Sequence, residues 1–81
     1  MTLDRYFGAA VRVHRIRRKL SQEELGARAD LDRTYVSGIE RGVRNPTLKV
    51  IQRLATALES DLRAILATAY ALASKDRKRR H

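Results

Sequence analysis

The strongest constraint on this chain lies between Ser21 and Gly42, where two helix starts and a tight turn follow one another closely. Ser21-Gln22-Glu23-Glu24 fits a capping box, in which the Ser hydroxyl accepts an early amide and Glu24 reaches back to the Ser21 amide. Leu25 and Ala29 give that helix a buried side. Gly26 inside it costs about 1 kcal/mol against Ala, which points to a close helix approach where no methyl fits. Asp30-Leu31-Asp32 makes the turn, because Asp tolerates a left-handed conformation better than most residues. Asp32 then caps a second helix, Arg33–Arg41, whose Val36 and Ile39 face inward at i and i+3. Gly42 is suited to end it.

Three more helices surround this pair. The first runs from Asp4 to Lys19, with Phe7, Val11 and His14 on one face and Val13 and Ile16 off it. The loop Gly42-Val43-Arg44-Asn45-Pro46 follows the second short helix, since the residue before Pro avoids the helical region. Thr47 caps a fourth helix with Leu48, Ile51, Leu54, Ala55 and Leu58 on one side. The fifth starts near Asp61, turns Leu62, Ile65, Leu66 and Ala69 inward, and is alanine-rich from Ala64 to Ala73, which favours helix. No segment has strand period and none repeats. The expectation is an all-α domain over residues 4–74.

Length and charge narrow the function. Eighty-one residues leave room for one domain, rarely enough for the walled pocket catalysis needs. With no cysteine and only His14 and His81, disulfides, thiolate chemistry and a structural zinc site are not expected. No apolar run approaches a membrane span of ~18 residues, and Met1–Ile16 lacks a signal-peptide core; a cytoplasmic, nucleoid-associated protein is expected. The net charge of +9 points to an anionic partner. It is uneven: the first twenty residues are basic, residues 21–40 are acidic on balance, and residues 75–81 hold five basic residues and one acid. With no apolar residue, that tail is expected to be disordered, either merely solvated or brushing a phosphate backbone.

Two short helices joined by a tight turn, the second exposing polar residues, describe a helix-turn-helix. The stretch QEELGARADLDRTYVSGIER, from Gln22 to Arg41, resembles the DNA-binding unit of lambda-repressor/Cro (XRE-type) regulators. The resemblance continues through Gly42-Val43-Arg44-Asn45-Pro46-Thr47-Leu48 and Leu54–Leu58, and covers about residues 7–66. LDRTYVSGIERGVRNP looks most like the controller proteins of restriction–modification systems. The resemblance implies a five-helix fold and an Arg15–Glu40 bridge between the first and third helices. The chain departs from the family pattern at Lys19, Asp30 and Glu59, which stand where such proteins often have Gly in turns. His14 stands where an apolar residue often closes the core, and Gly26 replaces a usual Ala.

In this motif the second helix enters the major groove, with its N-terminal residues at base edges. Arg33 can bond two guanine acceptors, and Thr34 and Ser37 are short donors or acceptors. With Val36 and Ile39 inward, Arg33, Thr34, Ser37 and Arg41 are the base-reading candidates. Gly38 also faces out on this reading and lets the helix sit deep. Asp32 caps the helix or holds Arg33. Ser21 and Gln22 at a helix start, with Arg44 and Asn45 in the loop, are backbone-contact candidates. Tyr35 either gives its hydroxyl to a phosphate or is a half-buried packing ring.

One recognition helix covers few base pairs, so a homodimer on half-sites is expected. Its seam is read from the stripe Leu66, Ala69, Tyr70 and Ala73; otherwise that stripe extends the monomer core. The leading function is a sequence-specific regulator on double-stranded DNA, with no cofactor, metal, small-molecule ligand or membrane partner. If the controller resemblance holds, it times restriction and modification genes and its own promoter. Alternatives are a phage-type repressor, an antitoxin, or a protein-interaction module that keeps the fold without reading bases. An enzyme has least support, since no nucleophile–base pair, metal cluster or phosphate-binding glycine loop occurs.

Overall fold

The structure, a computed structural model, describes residues 2–79. Five helices follow in order: α1 (Leu3–Arg17), α2 (Gln22–Ala29), α3 (Arg33–Glu40), α4 (Leu48–Ala57) and α5 (Leu62–Arg79). Local chemistry sets their starts. Ser21 Oγ accepts the Glu24 amide at 2.9 Å while Glu24 accepts the Ser21 amide at 2.9 Å, completing the capping box. Asp32 Oδ1 takes the Thr34 amide at 2.8 Å and Thr47 Oγ1 the Val50 amide at 3.2 Å. Asp61 Oδ1 takes the Arg63 amide at 2.8 Å. The Arg63 guanidinium and amide hold the Asp61 carboxyl down to about 2.

Three non-glycine residues carry positive φ: Lys19 at 58°, Asp30 at 56° and Glu59 at 51°. These are the three positions where the regulators it resembles often have Gly; the chain keeps its turns, Asp30 with a residue type that tolerates the left-handed region, and Lys19 and Glu59 each with strain of about 1 kcal/mol or more. The left-handed Lys19 also ends α1 two residues before the expected stop.

The core joins Phe7, Ala10 and Val11 of α1 to Leu25, Val36, Ile39, Leu54, Leu58 and Ile65, all buried. Gly8 lies where α1 crosses the end of α3; a Cβ there would sit 1.9 Å from the Ile39 carbonyl oxygen. At Gly26 the close approach is to the turn rather than to another helix, since a Cβ would meet the Leu31 carbonyl oxygen at 2.6 Å. His14 closes the core partly. Its Nε2 meets Thr68 Oγ1 at 2.9 Å and its Nδ1 faces Ser60 Oγ at 3.4 Å. Burial, then the Arg17 charge, holds its pKa below the ordinary value.

α1 and α5 run antiparallel: His14 meets Thr68 at one end and Tyr6 meets Asp76 at the other. This pairing changes two expectations. Ala69 and Ala73 are buried, so half of the expected dimer stripe belongs to the monomer core. Leu66 is half-buried and Tyr70 alone of the four is exposed. The expected disordered tail is instead helix as far as Arg79. The Tyr6 hydroxyl donates to Asp76 Oδ2 at 2.8 Å, Lys and Arg are good helix formers, and cations suit a helix C-terminus. The last two residues of that tail lie outside the described residues. No described helix is long and apolar enough to cross a membrane.

Candidate nucleic-acid interface

The start of α2 and the first turns of α3 form one surface. Gln22, Arg33, Thr34 and Ser37 line a single depression. Arg33 and Thr34 are exposed, and Ser37 is half-buried. Asp32 spends its carboxylate on the Thr34 amide, which also holds its pKa below the ordinary value. The Arg33 guanidinium projects from a helix start fixed by that cap. Arg41, the C-cap of α3, is exposed at the far end of the helix and is not among the four residues that line the depression.

A buried ion pair sets the angle of this surface to the rest of the domain. Arg15 Nε and Nη2 donate to the two Glu40 oxygens at 2.7 and 3.0 Å, a bidentate geometry that adds orientation to charge. The Arg15 Nη1 donates to the Leu20 carbonyl at 2.8 Å. The Glu40 side chain is 2% exposed, and its bond raises the Arg15 pKa. Gln22 Nε2 donates to the same carboxylate at 3.1 Å. One carboxylate on α3 thus anchors α1, and through Gln22 the start of α2. The Arg15–Glu40 bridge matches what the resemblance implies; the Gln22 link is a structural role beyond the phosphate contact expected of that residue. That bond uses one N–H of the Gln22 amide and leaves its second N–H and its carbonyl oxygen for another partner. Likewise Ser21 accepts an amide through its oxygen and keeps a hydroxyl hydrogen to donate.

The loop after α3 corrects one reading. Gly38 does not face out; it is buried, and a Cβ there would lie 2.5 Å from the Arg44 Cγ. The Gly38 carbonyl accepts the Val43 and Arg44 amides at 3.0 and 3.2 Å. The glycine therefore seats the stem of Arg44, and its conformational role is to fix the loop rather than to deepen the groove contact. The signal available in the sequence was the Gly-x-x-x-Gly spacing of Gly38 and Gly42, but the path of the loop over Gly38 depends on the left turn at Gly42, φ 76°. Arg44 and Asn45 are exposed. Tyr35 is half-buried and packs against the core, which favours its packing role.

A second unforeseen residue is Arg53 of α4. Its Nε donates to the Ala29 carbonyl at 2.9 Å and its Nη2 to the Asp30 carbonyl, with the Asp30 carboxylate 3.6 Å away. These bonds satisfy the open end of α2 and clamp the turn between α2 and α3.

Paired helices with a capped, exposed second helix and a tight turn define a helix-turn-helix domain, and a model of the Helix-turn-helix family matches residues 11–65. The chain belongs to that family. It is 47% identical over 53 residues to control protein C.BamHI of Bacillus amyloliquefaciens, a match covering 64% of this chain and 65% of that one. The crystal structure of the restriction-modification controller protein C.AhdI from Aeromonas hydrophila superposes with a TM-score of 0.74 at 46% identity, covering 75% of this chain and 92% of that one. The immunity repressor of Bacillus phage phi105 is 37% identical over 59 residues, 73% of this chain but 41% of the repressor. The matched segment thus spans under two thirds of both the C.BamHI and the phage relative.

Proposed function

We propose that this protein is a sequence-specific DNA-binding transcriptional regulator, of the restriction–modification controller type, that binds a two-fold operator as a homodimer. The observation that carries it is the shared depression of Gln22, Arg33, Thr34 and Ser37, held to the core through Glu40. In this reading α3 lies in the major groove and Arg33, Thr34 and Ser37 meet base edges. Arg41 meets either a base or the backbone at the end of the helix. Ser21, Gln22, Arg44 and Asn45 bond phosphates on either side and set register. Tyr35 supports the helix from beneath. A protein-interaction module without base reading would present acidic or apolar groups along α3, and Arg33, Thr34, Ser37 and Arg41 weigh against it. The controller type is supported by the likeness to C.BamHI and C.AhdI. The phi105 likeness favours a phage-type repressor as the second reading.

Dimerisation moves to a different face from the alanine stripe. Leu3, Phe7, Pro46, Ile51 and Leu66 line an apolar groove, and Leu48 (82%), Tyr70 (59%) and Leu3 (45%) are exposed. A second copy of the chain covering this patch removes the large apolar side chains from water, with Leu66 and Tyr70 kept from the expected seam. Selection of bound duplexes from a random pool tests the reading: recovery of an inverted repeat supports it, and recovery of no common sequence defeats it. Sedimentation at micromolar concentration that returns only a 9.3 kDa species defeats the dimer.

A further inference from the structure

The last turn and a half of α5 has more order than its composition requires and more charge than the fold uses. After Ala73 no residue is buried, yet the helix runs to Arg79. Its one acid, Asp76, is committed inward: Tyr6 donates to it at 2.8 Å, and the Arg5 guanidinium lies 4.0 Å away. Lys75, Arg77, Lys78 and Arg79 are all exposed, and no acid of their own segment is left to offset them. The position of this cationic end follows from the antiparallel pairing with α1. It sits at the start of α1, beside Arg5. Arg5 also packs under the end of the recognition helix, since a Cβ on Gly42 would lie 2.9 Å from the Arg5 Cα. One residue therefore touches both the Asp76 clasp and the first residue of the loop that carries Arg44 and Asn45. From Asp76 to Arg79 the helix rises only about 4.5 Å.

We infer that Arg77, Lys78 and Arg79, held in helix by the Tyr6–Asp76 clasp, form a second phosphate-binding surface beside the loop after α3, extending the DNA contact beyond the helix-turn-helix. It rests on the DNA-binding reading above. These contacts carry no base information, so they add equally to specific and random duplexes and act through counterion release. The clasp bonds the segment's one carboxylate to Tyr6 and fixes the three cations within one short rise, fanned round the end of the helix. An unclasped tail would have to be ordered at the moment of binding.

The test compares full-length wild type with R77Q/K78Q/R79Q on one selected duplex and one random duplex, across salt. Gln keeps helix propensity, and far-ultraviolet circular dichroism confirms that the variant is folded. Engagement of two or three phosphates predicts a salt slope shallower by about 2–3 on both duplexes. The affinity gap between wild type and variant should close by about tenfold or more from 50 to 200 mM salt. An unchanged slope overturns the inference. Asp76→Ala separates placement from charge. It removes a negative charge, so a plain charge effect tightens binding, whereas loss of the clasp leaves binding no tighter than wild type. Tighter binding by Asp76→Ala overturns the role of the clasp. Wild type that binds duplexes with no sequence preference defeats the operator reading but still permits this comparison. Wild type that binds no duplex defeats both.

Discussion

Gly8→Ala is the sharpest test of how the recognition helix is held. In a solvated helix interior this substitution stabilises by about 1 kcal/mol, because Ala is the better helix former. Here the structure predicts the opposite sign. The new Cβ would lie 1.9 Å from the Ile39 carbonyl oxygen, 2.9 Å from the Ile39 carbonyl carbon and 3.1 Å from the Glu40 carbonyl oxygen. All three are backbone atoms, so no rotamer change relieves the contact. Restoring an ordinary separation of 3.4 Å to the nearest atom requires α1 and α3 to part by about 1.5 Å. The Arg15–Glu40 bond, now 2.7 Å, would stretch toward ~4 Å, past the hydrogen-bonding range.

The magnitude follows from those two effects. Overpacking of this kind costs about 1–3 kcal/mol, and breaking a buried ion pair costs about 3–5 kcal/mol. Partial relaxation shares the displacement between them, so a loss of at least about 3 kcal/mol is expected. A domain of this size has roughly 4–12 kcal/mol of total stability. With a urea slope near the low end of the usual ~1–3 kcal/mol/M, the midpoint should fall by about 2–3 M. Urea unfolding followed by circular dichroism reads this directly. A Gly8→Ala midpoint equal to or above wild type would refute the close crossing of α1 and α3, and with it the account of how Glu40 orients the recognition helix.

Four other outcomes follow from the same structure. Arg33→Ala should cost about 1–3 kcal/mol at one base pair of the selected site and relax specificity there; equal losses on specific and random duplexes contradict base reading. Arg44→Ala should weaken both kinds of duplex and make the salt slope shallower by about one, which a salt titration checks. Lys19→Gly relieves a left-handed backbone at an exposed side chain and should stabilise by about 1 kcal/mol, visible as a Tm rise of roughly 4–8 °C; a lower Tm would contradict the strain at that turn. His14 has its pKa lowered from 6.5, so the unfolded chain binds its proton more readily than the folded one. Its contribution is intact above about pH 6.5 and declines as pH falls from there toward the lowered folded value. Urea midpoints across that range should show the decline in wild type and a flatter profile in His14→Leu.

What could be read along the chain, and what could not, divides by distance. A cap is made by one side chain and an amide two or three residues on, so Ser21, Asp32 and Thr47 announced three helix starts without reference to the rest of the fold. The stressed turns at Lys19, Asp30 and Glu59 were visible because a non-glycine residue stood where a left-handed backbone belongs. Features that depend on which distant surface arrives are not legible in this way. A stripe at helical spacing says that Leu66, Ala69, Tyr70 and Ala73 share a side of α5, but α1 takes Ala69 and Ala73 and leaves Tyr70. Gly38 lies on the polar side of α3 by period, yet the chain turns at Gly42 and lays Arg44 over it. The charge and lack of apolar residues in 75–79 describe a tail with nothing to pack, and the contact that does hold it, Tyr6 with Asp76, comes from the other end of the chain.

The same division bears on how the recognition surface works. The groups that can read DNA, Arg33, Thr34 and Ser37, are local and legible. The groups that aim them are not. Glu40 takes two bonds from Arg15 and one from Gln22, so α1, α2 and α3 meet at one carboxylate that is shielded from water. Arg53 reaches from α4 to the end of α2 and clamps the turn. If α3 were free to tilt, the Arg33 guanidinium would satisfy phosphates as well as guanine, because charge alone does not choose between them. A fixed tilt makes the bidentate geometry selective. Loss of Glu40 or Arg53 should therefore reduce discrimination between operator and random DNA more than it reduces affinity for random DNA, whereas loss of Arg44 should reduce both together. Measured side by side in folded variants, a Glu40→Gln or Arg53→Met protein that loses affinity equally on both duplexes would show that the buried network only stabilises the domain and does not aim it.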